Sequence, residues 1–165
     1  MGRWTILALR VVLAAALAGS LVVQVVLVPL AYRDLDGADA DVLEVRTPVL
    51  TILVLGILAA QVVMVCVWRL ATMARRGTVF SSAAFRWVDV VIGAIAAACL
   101  LLLALGVVLA PGEAVAPGLV LLIGGAALVV AGIALVVLVM RALLAQAVDR
   151  DAEASQLRAE LDEVI

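Results

Sequence analysis

The chain has 165 residues, of which 68% are hydrophobic and 15% charged, with a net charge of -2. A soluble domain carries about 25% charged residues and must cover itself with polar side chains. This composition therefore excludes a soluble enzyme, a nucleic-acid-binding domain and a disordered chain, and describes an integral membrane protein. There is no His, and all eleven basic residues are Arg. That removes the commonest general base and metal ligand, Schiff-base lysine chemistry and a phosphate-binding P-loop lysine. The Ala, Val and Leu bias, with Arg in place of Lys, fits translation of a GC-rich bacterial genome.

Charged residues divide the chain into four long uncharged stretches: Val11 to Tyr32, Thr47 to Trp68, Val90 to Gly112 and Ala114 to Met140. A hydrocarbon core of about 30 Å needs roughly 20 helical residues, so each stretch is long enough to cross once. Backbone groups must be satisfied internally in lipid, and the stretches lack a barrel strand's alternation, so helices are predicted. The expected spans are about 11–32, 47–68, 88–111 and 116–141. Together they make an all-α, integral membrane four-helix bundle over residues 1–144. Residues 145–165 are expected to form a charged tail with a short amphipathic cytoplasmic C-terminal helix.

The first stretch opens on basic Met1-Gly-Arg-Trp, and Ala16-Leu-Ala18 resembles a signal-peptidase site. The apolar run continues to Tyr32, however, and cleavage would leave a hydrophobic stub, so a retained helix is predicted. Pro29 is placed to kink or stop its last turn. The loop that follows holds Asp34, Asp36, Asp39, Asp41 and Glu44. Counted from Asp34, position six is Asp39 and position twelve is Val45, whereas a calcium loop wants Gly and Glu there. A solvated acidic loop is expected, and no metal site. Pro48 is expected in the first turn of the second helix, as Pro117 is in that of the fourth.

The second loop, Arg69 to Arg86, holds four Arg and no acid, with Leu70, Met73, Val79, Phe80 and Phe85 interleaved. Gly77 can end the preceding helix and Ser81 or Ser82 can cap the next. Such a segment either lies on anionic lipid or docks a cytoplasmic partner. In the tail, Ala154, Leu157, Leu161 and Val164 recur at i, i+3, i+7 and i+10, a heptad-like stripe. The candidate contact residues, for lipid or a partner, are Arg75, Arg76, Gly77, Phe80, Ser81, Phe85, Arg86, Leu157 and Leu161.

Nine Arg fall at the termini and the second loop; only Arg33 and Arg46 fall on the other side. The Arg-rich side is then cytoplasmic, with both termini inside. Trp4, Trp68 and Trp87 sit at that boundary and Tyr32 at the opposite one. Within the spans, Ser20, Gln24, Thr51 and Gln61 are available for hydrogen bonds between helices. Asp89 is expected to pair with Arg86 or cap its helix. Cys66 and Cys99 are expected as unbridged packing residues. Small residues four apart, at Ala14 and Ala18, Gly93 and Ala97, Ala94 and Ala98, and Ala127 and Ala131, permit close helix contact.

The Arg76-Gly-Thr-Val-Phe-Ser81 segment between the second and third spans resembles the Gly-x-x-Phe-Ser/Thr motif of a bacterial family, domain of unknown function 2975. Chain length, four spans and the ending Glu160-Leu-Asp-Glu-Val-Ile165 are similar too, so the resemblance covers nearly the whole chain. It implies a bacterial inner-membrane protein, and many members are encoded beside a small helix-turn-helix regulator. A membrane partner or antagonist of such a transcription regulator is the function implied, with no catalytic residues to carry over. The expectation is thus a regulatory interaction protein, with no enzyme activity, no cofactor and no direct nucleic-acid contact; homo-oligomerisation stays open. The alternative is a small transporter or channel component for apolar compounds, which the lack of a carboxylate near mid-bilayer disfavours for ion-coupled transport.

Overall fold

A computed structural model describes residues 3–37, 40–75, 82–111 and 115–164. They form helix α1 (Arg3–Val22), a π-helical turn (Val23–Leu27), α2 (Val28–Asp34), a 3-10 turn (Leu35–Gly37), α3 (Ala40–Arg75), α4 (Ser82–Leu109) and α5 (Pro117–Val164). Four segments are long and apolar enough to cross a membrane: Leu7–Gly37, Val42–Met73, Phe85–Leu109 and Pro117–Arg150. The protein is all-α and multi-pass.

Proline positions show where local chemistry bends or spares a helix. Pro29 neither stops the first span nor ends its last turn. Lacking an N–H, it cannot close an i to i−4 bond. The chain widens just before it into the π turn, where the Val28 N–H donates to the Val23 carbonyl five residues back. A single inserted π turn carries the helix past the defect. Pro48, expected in a first turn, lies inside α3, which starts eight residues earlier at Ala40. Its missing N–H deprives the Glu44 carbonyl of a partner close to the water boundary, where solvent can supply one. Glu44 sits toward the positive end of the α3 dipole, which favours the added turns. Pro117 does open its helix, and the Leu119 N–H donates to the Ala116 carbonyl at 2.9 Å.

The largest departure is at the C-terminus. A separate short tail helix does not form; α5 runs unbroken for 48 residues, about 72 Å at 1.5 Å per residue. The change from apolar to charged sequence near 144–145 is not a break in the backbone. No Gly or Pro interrupts residues 133–164, and the Ala, Leu, Glu, Gln and Arg found there are good helix formers.

The helices pack in series. α1 lies on α3, α3 on α4, and α4 on α5; among the described residues no comparable interface joins α5 back to α1 or α3. The four-helix assembly is therefore open rather than closed into a ring. Among the described residues its core consists of Leu13, Cys66, Val91, Leu109 and Ala127. Only 6% of each apolar window is buried within the chain, so lipid or another protein must cover the remainder.

Candidate functional site

Polar chemistry concentrates at three levels along the bundle. The middle level joins α1 and the π turn to α3. The Gln61 side-chain amide donates to Ser20 Oγ at 2.9 Å and to Gln24 Oε1 at 3.0 Å. Gln24 Nε2 donates to the Val54 carbonyl at 3.3 Å, and Ser20 Oγ to the Leu17 carbonyl at 2.8 Å. Three of the four polar residues singled out in the spans thus form one network. Thr51 does not join it; its hydroxyl donates back to Thr47 in its own helix at 2.8 Å. The network is neutral and positions helices without offering a titratable group.

At the arginine-rich end, cations lie over aromatic rings and tie all four spans together. The Arg10 guanidinium of α1 lies 5.7 Å from the centre of the Trp68 ring on α3 and donates to Thr72 Oγ1 at 3.1 Å. Thr72 in turn donates to the Trp68 carbonyl at 2.8 Å. Arg69 of α3 lies 5.8 Å from the Trp87 ring of α4, and Arg141 of α5 lies 5.9 Å from the Phe85 ring of α4. Each such contact is worth about 0.5–1 kcal/mol where exposed and about 2 where desolvated. Arg141 also forms an ion pair with Asp89, donating from its second terminal nitrogen at 2.9 Å. This corrects the expected Asp89–Arg86 pair. Phe85 and Asp89 are four residues apart on one face of α4, and that face meets α5, whereas Arg86 is exposed.

The opposite end is held by Arg46. It ion-pairs with Asp36, donates to the Tyr32 carbonyl at 3.2 Å, and stacks 3.9 Å from the Tyr32 ring centre. Asp36 therefore serves as a partner of Arg46. Among the described residues, no group of three acidic or Cys side chains is placed to hold a metal ion. Beside this clasp, Pro29, Tyr32, Arg33, Thr51 and Leu55 help line an open cleft of about 500 Å³ between α2 and α3. A second cleft of about 330 Å³ lies between α3 and α4, over Gly56, Ala60 and Ala98. Both are almost wholly apolar, and a lipid chain suits them.

Cys66 and Cys99 are both unbridged. Cys66 is fully buried, and Cys99 Sγ lies 3.4 Å from the Ala127 carbonyl of α5, an S–H donor on a backbone acceptor. Ala127 of the small-residue ridges is thus a true contact. Ala94 and Ala98 are half-buried, while Gly93 and Ala97 face outward, and a Cβ built on Gly93 would meet nothing within 4 Å.

Of the nine candidate contact residues, Arg76, Gly77, Phe80 and Ser81 lie outside the described residues. Arg75 ends α3, Phe85 and Arg86 lie in the first turns of α4, and Leu157 and Leu161 are in the last three turns of α5. The structure brings Phe85 to Arg141. The residues missed by sequence reasoning are Arg10, Arg69, Thr72 and Arg141. For Arg10 and Arg69 the signal was depth: each falls at the level of a Trp ring already expected at that boundary.

The family described as "Protein of unknown function (DUF2975)" matches residues 30–165. The chain belongs to this family, as the motif resemblance implied. No curated protein and no solved structure matches it.

Proposed function

We propose that the protein is a bacterial inner-membrane regulatory protein whose arginine-rich end faces the cytoplasm and engages a soluble partner there. The orientation rests on the nine-to-two Arg asymmetry. One observation carries the interaction: α5 continues for the 23 residues 142–164 beyond the Arg141–Asp89 level, about 35 Å of helix. The described side chains past Val148, namely Asp149, Arg150, Glu153, Ala154 and Gln156, are all exposed. A charged helical arm of that length is an interaction device. Past Arg150 it lies beyond the segment able to cross the bilayer. The class of partner favoured is a small helix-turn-helix transcription regulator, held at the membrane away from DNA.

The test is affinity capture from native membranes with the full chain and with a chain ending after Leu144. The reading expects a small DNA-binding protein with the full chain and its loss with the shortened one. Identical recovery by both, or none by either, would remove the arm from the account and leave the basic loop as a lipid-surface segment.

A further inference from the structure

The cleft between α2 and α3 lies between two ties. On its deep side Gln24 Nε2 donates to the Val54 carbonyl, and at the water boundary Arg46 clasps Tyr32 and Asp36. Between these ties the described residues make no hydrogen bond from α2 to α3. Pro29 has no N–H to offer, and Thr51 turns its hydroxyl back to Thr47 of its own helix. What remains is an open space of about 500 Å³ with a graded lining: Tyr32, Arg33 and Thr47 at the end nearest water, Val54 and Leu55 at the far end. Thr47 and Leu55 are two turns apart on α3, about 12 Å along its axis. One leaflet of a hydrocarbon core about 30 Å thick is about 15 Å deep. The cleft thus has the depth of one acyl layer, and its polar rim lies at the level of the headgroups.

That rim carries unmatched charge. Arg46 and Asp36 neutralise each other. Arg33 lines the cleft, is exposed, and has no ion-pair partner among the described residues. Asp34 is its neighbour in the chain, and residues one apart on a helix do not face each other. Glu44 is exposed as well, also without an ion-pair partner among the described residues. It precedes Thr47 by one turn, on the same side of α3 and nearer to water. A free cation therefore stands at the mouth of the cleft, with a free carboxylate one level above it.

We infer that this cleft binds one phospholipid from the leaflet opposite the arginine-rich end, of the zwitterionic class whose headgroup ends in an ammonium. One acyl chain lies on the apolar floor made by Leu50, Val54 and Leu55. The Arg33 guanidinium donates to the phosphate, a charge-assisted contact for which its planar fork is suited. The ammonium, on a short ethanolamine arm, extends toward water and meets Glu44. A lipid with a net negative headgroup satisfies Arg33 but sets its charge against Asp34 and Glu44. Residues 33–46 hold Arg33 and Arg46 against Asp34, Asp36, Asp39, Asp41 and Glu44, so the surplus at this end is negative and favours a headgroup that brings its own cation. A free phosphate ion meets the same repulsion and leaves the apolar floor uncovered.

The inference stands apart from any soluble partner and from which side of the membrane the arginine-rich end occupies. Its test uses the full chain, purified in detergent and mixed with equal amounts of an ethanolamine phospholipid and a glycerol phospholipid of the same acyl chains. Native mass spectrometry then counts the lipid retained. The ethanolamine lipid should be retained several-fold over the glycerol lipid, and excess inorganic phosphate should displace neither. Arg33→Gln should lower retention of both roughly tenfold, the loss of one charge-assisted bond, and Arg33→Lys should keep most of it. Glu44→Gln should remove the preference between headgroups while total retention stays. Leu55→Trp, which fills the floor, should lower retention of both lipids. Retention by Arg33→Gln equal to that of the natural chain, a preference for the glycerol lipid, or displacement by inorganic phosphate would overturn the site. A headgroup preference that survives Glu44→Gln would contradict the ammonium contact.

Discussion

Two seams of the molecule, α1 on α3 and α4 on α5, join helices in lipid by opposite means. The first is polar: Ser20, Gln24 and Gln61 share hydrogen bonds beside a π turn. The second, apart from the Arg141–Asp89 pair at its end, is apolar and close. Ala127 is fully buried, its carbonyl receives the Cys99 thiol, and Gly106 leaves room for Ile123 at 3.8 Å from where a Cβ would stand. No hydrophobic force separates one apolar helix from lipid. A seam is therefore made either by polar groups that have nowhere else to go or by backbones that approach closely. The difference teaches which substitutions each seam tolerates.

Bulk should break the close seam first. Ala127→Leu is expected to cost about 1–3 kcal/mol by overpacking, read as an earlier transition when the detergent-solubilised protein is unfolded with increasing SDS. The same substitution on the outward face, Ala97→Leu, should leave that transition in place. The polar seam should respond next. Gln61→Leu should cost about 0.6–2 kcal/mol, with Gln24→Leu adding less than its own single effect, since the two side chains share a bond. Additive losses would mean that the network is not one unit. At the arginine-rich end, Arg141→Ala should lose about 1 kcal/mol from its ring and carboxylate contacts, and Arg141→Lys should recover part of it. The smallest effects belong to Gly106→Ala and Thr51→Val, each within about 0.5 kcal/mol. The first fills ordinary contact space, and the second removes a bond within one helix.

The four helices able to span a membrane were legible because uncharged runs of this length have one stable form in lipid. Ser20, Gln24 and Gln61 were legible as well, because mid-bilayer polar groups must find partners. Pro48 misled because a helix can carry a proline where water reaches the orphaned carbonyl, so the start of α3 was placed too late. The tail was placed on a helix of its own because composition changes at residue 145, but composition does not decide where backbone hydrogen bonds stop. The Asp89–Arg141 pair was out of reach for another reason. Local spacing pointed to Arg86, three residues away, while the actual partner comes from a helix more than fifty residues on. Residue spacing along one helix carries no record of which neighbour its face meets.

The proposed function requires the arginine-rich end to lie in the cytoplasm. The most direct test places single cysteines at Gly37, Arg75 and Gln156 of a chain lacking Cys66 and Cys99, and labels intact cells with a membrane-impermeant thiol reagent. The account predicts labelling of Gly37→Cys in intact cells, and of Arg75→Cys and Gln156→Cys only after the membrane is permeabilised. Strong labelling of Arg75→Cys in intact cells would contradict it.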